Sequence, residues 1–189
     1  MALDKSKTIK LLSYDFMNKN YIFETESGLF SHEKIDFATS FLLEVLAKQS
    51  LSGRILDLGC GYGVIGITLG GIFKLEIVLS DCNPKAVNLA NKNAKTNGVT
   101  VKSVLSDGYA EIDGDFNIII TNPPIHAGKS VIYNFFEGAV TRLRPNGALY
   151  VVMLKKHGAK SAMSKLGALF SSLEIIAHKK GVFVMRATN

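Results

Sequence analysis

The chain has 189 residues, of which 47% are hydrophobic and 20% are charged, and its formal net charge is +6. This composition excludes a disordered chain, and its longest apolar stretch, the seven residues Ala148 to Leu154, is too short for a membrane-spanning helix. Since the N-terminus has no signal-peptide core and two cysteines make no metal cluster, we expect a cytoplasmic protein without membrane or metal partners.

The chain divides into a lead-in, residues 1–35, and a core domain, residues 36–189. The lead-in reads as an irregular or hairpin-like segment that packs on the core, and the apolar spacing after it predicts a helix over 36–48. Alternating patterns then predict strands at 54–58, 75–80, 99–105, 116–120 and 147–154 and helices at 64–73, 83–97, 130–143 and 158–170. Two final strands, 173–177 and 182–187, are joined by four residues, which indicates an antiparallel hairpin.

Strands that alternate with helices predict an α/β fold: a doubly wound, Rossmann-like, mostly parallel sheet of seven strands that ends in an antiparallel hairpin. In such sheets ligands bind beyond the carboxyl ends of the strands. The polar and glycine-rich sequences of this chain stand at those ends: residues 57–63, Asp81, residues 106–107 and Asn122 onward. We therefore expect the functional site at that edge.

The sequence "LDLGCGYGVIG" after the first core strand fits two cofactor loops. A dinucleotide loop, G-x-G-x-x-G, would use Gly61, Gly63 and Gly66, with an acid 20 residues beyond Gly61 at Asp81. The loop of S-adenosylmethionine (SAM) methyltransferases, D-x-G-x-G-x-G, would use Asp57, Gly59, Gly61 and Gly63.

The acid that precedes these glycines favours SAM. A carboxylate at Asp57 would repel a pyrophosphate, whereas it suits an ammonium group directly or through water. Asp81 could accept hydrogen bonds from ribose hydroxyls with either cofactor, and Asp107 could accept one from an adenine amino group. A nicotinamide-dependent oxidoreductase stays open as an alternative.

The sequence "TNPPIHAGKS" ends the fourth core strand with Asn122, Pro123 and Pro124. An amide oxygen and the carbonyl of Pro123 could together accept both hydrogens of a planar exocyclic NH2 group, and prolines would hold these acceptors in place. Such a clamp would orient an amine nitrogen toward a sulfonium methyl group without a strong base. We therefore expect Asn122, Pro123 and Pro124 to form the catalytic segment.

Together, "DLGCGYGVIG", "DCNPKAV", "SDG" and "NPPIHAGK", preceded by "GLFS" and Asp36, resemble class I SAM methyltransferases of the small-subunit (16S) ribosomal RNA guanine-N2 type. The resemblance implies the class I methyltransferase fold, with residues 36–189 as the SAM-dependent domain and residues 1–35 as an addition to it. It assigns one set of residues to SAM: Asp57, Gly59, Gly61, Gly63, Asp81, Asn83 and Asp107. It assigns Asn122 with Pro123 to the target amine, and substrate contacts to Gly28, Phe30, Ser31, Ile125, His126 and Lys129.

The chain departs from this family in two ways. Two-domain members carry a further, degenerate N-terminal domain that helps with RNA, whereas only about 35 to 50 residues precede the core here. Many amino-methyltransferases also place an aromatic residue after Asn-Pro-Pro to stack on the base. Ile125 stands there in this chain, so stacking would fall to Phe30, His126 or another ring.

Charge distribution suggests the partner. Residues 142–189 contain nine Lys or Arg and one acid, Glu174, a net of +8, whereas residues 1–141 carry a net of −2. This basic segment is either a solvated face or a footprint for nucleic-acid phosphates. We expect ribosomal RNA or the small ribosomal subunit as partner; a protein glutamine amide methyltransferase and a non-catalytic RNA-binding module stay open.

Overall fold

The computed structural model of the chain describes residues 9–29 and 31–189. Its first element is an antiparallel hairpin of β1 (Ile9–Phe16) and β2 (Lys19–Glu26). The turn residues Met17 and Asn18 have φ angles of 49° and 61°. Two consecutive left-handed residues give the turn that matches strand twist in a two-residue hairpin loop.

The remaining chain alternates helices and strands. The helices are α1 (Phe37–Leu46), α2 (Val64–Gly70), α3 (Pro84–Thr96), α4 (Lys129–Arg142) and α5 (Ala159–Leu169). The strands are β3 (Arg54–Leu58), β4 (Glu76–Asp81), β5 (Val101–Leu105), β6 (Phe116–Thr121), β7 (Leu143–Leu154), β8 (Ser172–Lys179) and β9 (Val182–Thr188). Short 3₁₀ helices occupy Ile125–Ala127 and Lys155–His157, which the sequence patterns did not predict.

The seven core strands form one sheet in the order β5-β4-β3-β6-β7-β9-β8. β3 pairs in parallel with β4 and β6, whereas β9 runs antiparallel to both β7 and β8. The predicted doubly wound sheet with its C-terminal antiparallel hairpin is confirmed. Because β3 and β6 are central neighbours, the loops that follow them emerge side by side.

β7 begins four residues earlier than the sequence predicted. It starts at Leu143, directly after α4, although Pro145, Asn146 and Gly147 read as a turn. Leu143 pairs with Phe116, and the register then shifts before Ile118 pairs with Ala148. The bulge, where Asn146 has a φ of 62°, accommodates these turn residues inside the strand.

Apolar residues pack on both faces of the sheet. One cluster joins the sheet to α1, α2 and α3 and includes Phe41, Ile67 and Ala90, while the other joins it to α4 and α5. Neighbouring residues of β3 divide between them, since Ile55 belongs to the first and Leu56 to the second, as strand geometry requires. Among the described residues, no helix is long and apolar enough to cross a membrane.

The N-terminal hairpin is attached to the core by two asparagine side chains, one on α3 and one directly after its last residue. Asn93 accepts a hydrogen bond from the backbone N–H of Glu24 (2.7 Å) and donates one to its carbonyl (2.9 Å). Asn97, one helical turn later, does the same with Ile22 at 2.9 and 2.8 Å. These amides act as a substitute strand for the edge of β2, because an i, i+4 pair lies on one face of a helix.

Candidate functional site

A cavity of about 610 Å³ opens at the carboxyl edge of the sheet. Its walls come from the segments that follow β3, β4, β5, β6 and β7, together with the start of α1. The hydroxyl of Thr121 donates to the carbonyl of Leu58 at 2.8 Å, which joins the ends of β6 and β3. That bond holds the glycine loop and the Asn122 segment at the same level of the cavity.

The glycines of the loop serve two purposes. Gly59 and Gly61 line the cavity with φ angles of 72° and 55°, and a Cβ on Gly61 would meet no atom within 4 Å. Gly63 and Gly66 instead allow close packing, because a Cβ would lie 2.7 Å from Ile67 and 2.3 Å from Leu79 respectively. The loop therefore leaves room for a ligand at its first two glycines and packs on the sheet and α3 through the next two.

Asp57 lies beneath this loop, fully buried, and does not line the cavity. Its Oδ2 accepts a hydrogen bond from the N–H of Gly66 at 2.8 Å, while its Oδ1 has no partner among the described residues. Burial raises the pKa of this carboxyl to about 7, against the opposing effect of the Gly66 bond and with a further contribution from Asp81. An ammonium group or a bridging water would supply the missing partner.

Asp81 and Asp107 stand at the ends of the next two strands, and both line the cavity. The carboxylate of Asp81 accepts hydrogen bonds from the backbone N–H groups of Gly61 and Asn83, each at 2.9 Å. Since each carboxylate oxygen has a second lone pair, it can still accept from hydroxyls of a ligand. Asn83 lines the cavity too, but its side-chain oxygen caps α3 by accepting from Lys85.

Asn122 lies directly after β6, beside the glycine loop. Two consecutive side-chain hydrogen bonds link its amide to the start of α1. Asn122 donates through Nδ2 to the hydroxyl of Thr39 at 3.0 Å. Thr39 in turn donates to Oδ2 of Asp36 at 2.6 Å, and Asp36 caps α1 through its other oxygen. Its nitrogen is engaged in this way, whereas its oxygen accepts no hydrogen bond from residues 9–29 or 31–189 and can serve a ligand.

The two prolines differ in what their carbonyls do. The carbonyl of Pro124 accepts a hydrogen bond from Ala127 at 3.0 Å and so closes the 3₁₀ turn. Across residues 9–29 and 31–189, the carbonyl of Pro123 accepts no hydrogen bond. Both prolines line the cavity, and Pro123 is buried. The acceptor pair expected from the sequence, the Asn122 amide and the Pro123 carbonyl, thus occupies one wall.

The residues expected to contact substrate are only partly brought together. Gly28, Ser31, Ile125 and His126 line the cavity. Lys129 does not; it is exposed at the start of α4 and borders a much smaller neighbouring cavity. Phe30 lies outside the described residues.

Three residues at the site were not singled out from the sequence: Phe37, Thr39 and Thr121. Thr39 and Thr121 make their contacts across 83 and 63 residues of chain, so no local pattern marks them. Phe37 read only as part of the apolar stripe of α1. Its exposed ring lines the cavity, which a helical stripe does not predict.

The site suits SAM. The open space at Gly61 leaves room for the ligand. The carboxylate of Asp81 matches hydroxyl groups and that of Asp107 matches an amino group, while the unpartnered oxygen of Asp57 matches an ammonium group. A buried carboxylate below the glycines, by contrast, opposes the pyrophosphate of a dinucleotide.

Comparison with known proteins identifies the family. Residues 20–186 match the methyltransferase small domain. The chain is 40% identical to the uncharacterized protein YbxB of Bacillus subtilis, covering 93% of this chain and 89% of that one. It is 32% identical to ribosomal RNA small subunit methyltransferase C of Serratia proteamaculans over 87% of its own length, but spans only 48% of that relative.

A solved structure agrees. The T. thermophilus 16S rRNA N2 G1207 methyltransferase (RsmC), in complex with AdoMet and guanosine, superposes with a TM-score of 0.87 and 27% identity, covering 95% of this chain and 50% of that one. The class I methyltransferase fold and the assignment as a SAM-dependent methyltransferase are thereby confirmed, and the oxidoreductase alternative is set aside. This chain belongs to the methyltransferase small domain family.

Proposed function

We propose that this protein transfers a methyl group from SAM to an exocyclic amino group of a base in RNA, and that the base is guanine, modified at N2, in small-subunit ribosomal RNA. The observation that carries the proposal is the amide of Asn122, held by Thr39 so that its oxygen and the Pro123 carbonyl are free acceptors. An exocyclic NH2 offers two matching donors. The neighbour crystallised with guanosine supports the choice of base.

The residues of this chain act by positioning. Asn122 and Pro123 accept the two amine hydrogens and thereby direct the nitrogen lone pair across the cavity toward the glycine loop. SAM, when bound, would supply an electrophilic sulfonium methyl group to this nitrogen, with the electron pair of its carbon–sulfur bond remaining on sulfur. The nitrogen then loses one proton to water, so no side-chain base is needed. Pro124 stiffens the segment and closes the turn behind it.

The residues proposed to contact SAM lie at the same carboxyl edge of the sheet. Asp81 accepts from the ribose hydroxyls and Asp107 from the adenine amino group, while Gly59 and Gly61 let the backbone approach. Asp57 acts on the ammonium group through a bridging water, since it lies behind the loop.

The substrate side is proposed on fewer contacts. Ile125 and His126 line the cavity directly after the two prolines, and Gly28 and Ser31 line it from the segment that precedes α1. Ser31 is held there because its carbonyl accepts from the hydroxyl of Tyr62 at 3.1 Å. Phe30 and Lys129 remain predictions from the family resemblance.

The partner follows from the base. We propose ribosomal RNA, free or within the small subunit, in keeping with the ribosomal RNA methyltransferases among the relatives. This chain spans about half the length of those relatives. Its basic segment, residues 142–189, is the proposed source of RNA affinity because lysine and arginine side chains there can neutralise phosphates.

The decisive experiment measures the product. Small subunits from cells that lack the protein are incubated with it and labelled SAM, and their nucleosides are analysed by mass spectrometry. We expect N2-methylguanosine to appear. With Asn122→Ala, we expect SAM affinity to stay at the wild-type value and methyl transfer to fall by about a hundredfold or more, because the amine loses an acceptor that positions it. Undiminished transfer by this variant would contradict the assigned role.

A protein glutamine amide offers the same planar NH2 group. Release factors are therefore included as a second substrate in the same assay. Label in the protein and none in the RNA would contradict the proposal, as would tight RNA binding with no methyl transfer to either substrate.

A further inference from the structure

Four exposed lysines lie together at one end of the cavity. Lys155 and Lys156 belong to the 3₁₀ helix after β7, and Lys179 and Lys180 stand at the turn between β8 and β9. The N–H of Lys155 donates to the carbonyl of Gly181 at 2.7 Å, which joins the two segments. Within the described part of the chain, none of the four forms an ion pair, whereas Lys165 pairs with Glu137.

An aromatic pair lies beside these lysines. Phe37, the first residue of α1, is 40% exposed and stacks on Phe41 with ring centroids 5.8 Å apart. The ammonium of Lys180 lies 5.5 Å from the Phe37 centroid, and that of Lys179 lies 6.0 Å from the Phe41 centroid. Phe37 also lines the cavity, so one ring touches both the basic cluster and the site.

Strand order places this group on the substrate side. Along the carboxyl edge, Asp57 and Asp81 lie at the ends of β3 and β4, Asp107 follows β5, and Asn122 follows β6. The lysines lie beyond Asn122, at the ends of β7, β8 and β9. A polyanion would be repelled from the acidic end and attracted to the basic one.

We propose that this surface, the aromatic–lysine ledge (Phe37, Lys155, Lys156, Lys179 and Lys180), binds a single-stranded RNA segment adjoining the methylated base. The lysines contact phosphates, and Phe37 stacks on a neighbouring base. Stacking rings beside cationic side chains are the usual means of holding a single strand, and a base can reach an amine pocket only when it is unstacked. The proposal rests on the proposed function and adds the surface that holds its substrate.

Binding of a labelled 12-nucleotide single-stranded RNA to the full chain tests the lysines, with no methyl transfer required. For the double variant Lys179→Ala/Lys180→Ala, we expect roughly tenfold weaker binding near 0.1 M salt and a salt slope reduced by about 1.4, since each phosphate contact to a single strand contributes about 0.7. The matched control is Lys74→Ala/Lys95→Ala. It makes the same charge change with exposed lysines at the opposite edge, and we expect RNA affinity near the wild-type value.

A second pair of variants tests the ring. Phe37→Leu keeps an apolar side chain against Phe41 but removes the stacking face, and we expect about fivefold or greater loss of RNA affinity. Phe37→Trp should restore it. Thermal unfolding, measured on every variant, shows that each one is folded, and the SAM affinity of the lysine variants should stay at the wild-type value.

RNA binding by the ledge variants that equals wild type would overturn the ledge and leave the methyl-transfer proposal standing. Equal losses in the ledge and control lysine pairs would also overturn it, because net charge would then explain the effect. Polyglutamate is also added as a competitor for RNA binding. If it displaces RNA from wild type and from Phe37→Leu equally well, the surface binds acidic protein by charge alone, and the ledge is overturned. Labelling of release factors instead of RNA in the methyl-transfer assay would overturn the proposed function as well.

Discussion

The oxygen and nitrogen of the Asn122 amide are nearly equal in size, so shape alone does not set which way the amide faces. The hydroxyl of Thr39, 83 residues away in sequence, sets this orientation. Because the Thr39 hydroxyl donates its hydrogen bond to Asp36, its oxygen can only accept one from Asn122. The amide nitrogen is thereby used inside the protein, and the oxygen remains for a ligand. Thr39 is a positioning residue under the proposed mechanism.

Replacement of Thr39 by valine preserves the shape of the side chain but removes the hydroxyl. We expect kcat for methyl transfer to fall roughly tenfold to a hundredfold, because the Asn122 amide loses its orienting partner. SAM affinity should be unchanged, and Thr39→Ser should recover most of kcat. A valine variant with wild-type kcat would show that the bond is only structural.

Under the proposed mechanism, the buried carboxyl of Asp57 should make SAM binding depend on pH. Its pKa of about 7 means that it is largely neutral at pH 5.5 and largely ionised at pH 7.5, and an ammonium favours the ionised form. We expect SAM affinity to rise on the order of tenfold over this range, which lies below the pKa of an α-amino group, about 7.7–8.0. Calorimetry across the range measures it.

Asp57→Asn is the control for that titration. The variant should bind SAM more weakly and with little pH dependence over the same interval. Without ligand the sign is reversed: the carboxyl titrates near 3.8 when unfolded and near 7 when folded, so its contribution to stability declines as pH rises between these values. SAM affinity that falls toward pH 7.5 would contradict the assignment of Asp57.

At the scale of elements, α3 joins the N-terminal hairpin to the glycine loop. Asn93, which is 1% exposed, bonds both backbone groups of Glu24 and also donates to the carbonyl of Tyr62 at 2.9 Å. One side chain therefore ties β2 to the segment that lines the cofactor end of the cavity. The hairpin is thus coupled to the site through the helix between them.

Asn93→Ala should destabilise the protein by about 3 kcal/mol, because one buried and two partly buried backbone groups lose their partner. Asn91→Ala, on the exposed face of the same helix, should change stability by less than about 0.5 kcal/mol. Denaturant unfolding measures both. Equal effects of the two substitutions would mean that α3 contributes only helix propensity.

At the scale of the whole molecule, one sheet edge separates two chemistries. Carboxylates follow the strands on one side of Asn122, and lysines follow the strands on the other. Under the proposed function, this separation would direct the cationic cofactor and the anionic RNA to adjacent places on opposite sides of Asn122.

Binding at this edge should stabilise the entire fold. At a SAM concentration of a hundred times Kd, the linkage gives about 2.7 kcal/mol, or a rise in Tm of about 5–10 °C for a domain of this size. Differential scanning fluorimetry measures the shift, and NAD at the same concentration should give none.

Gly61→Ala should abolish the shift, because its methyl group would enter the open space beside Asp81. Gly98→Ala is the matched control: its φ of 66° is similar and its Cβ also meets no atom, but it lies outside the cavity. Both should cost about 1–2 kcal/mol in backbone strain. Loss of the SAM response in Gly98→Ala as well would mean that strain alone explains Gly61.

The spacing of apolar residues and the positions of glycine and proline determined most of the fold. β3 has the predicted bounds, and the order of helices and strands is as predicted. The reason is that apolar spacing indicates the buried face of each helix or strand, while glycine and proline indicate the turns between them. The exceptions have local causes. β7 continues through Pro145 to Gly147 by means of a bulge supported from β6, and Lys129 lies on the first turn of α4 and away from the cavity.

The sequence by itself determined the fold class, the edge that bears the site and the residues at the strand ends, since side chains after parallel strands must meet. Only the tertiary structure decided that Asp57 lies behind the loop and that Thr39 orients Asn122. It alone placed Phe37 beside Lys180 in the turn between β8 and β9. These arrangements depend on which distant segments pack together, and the energy that selects them is not carried in any local pattern.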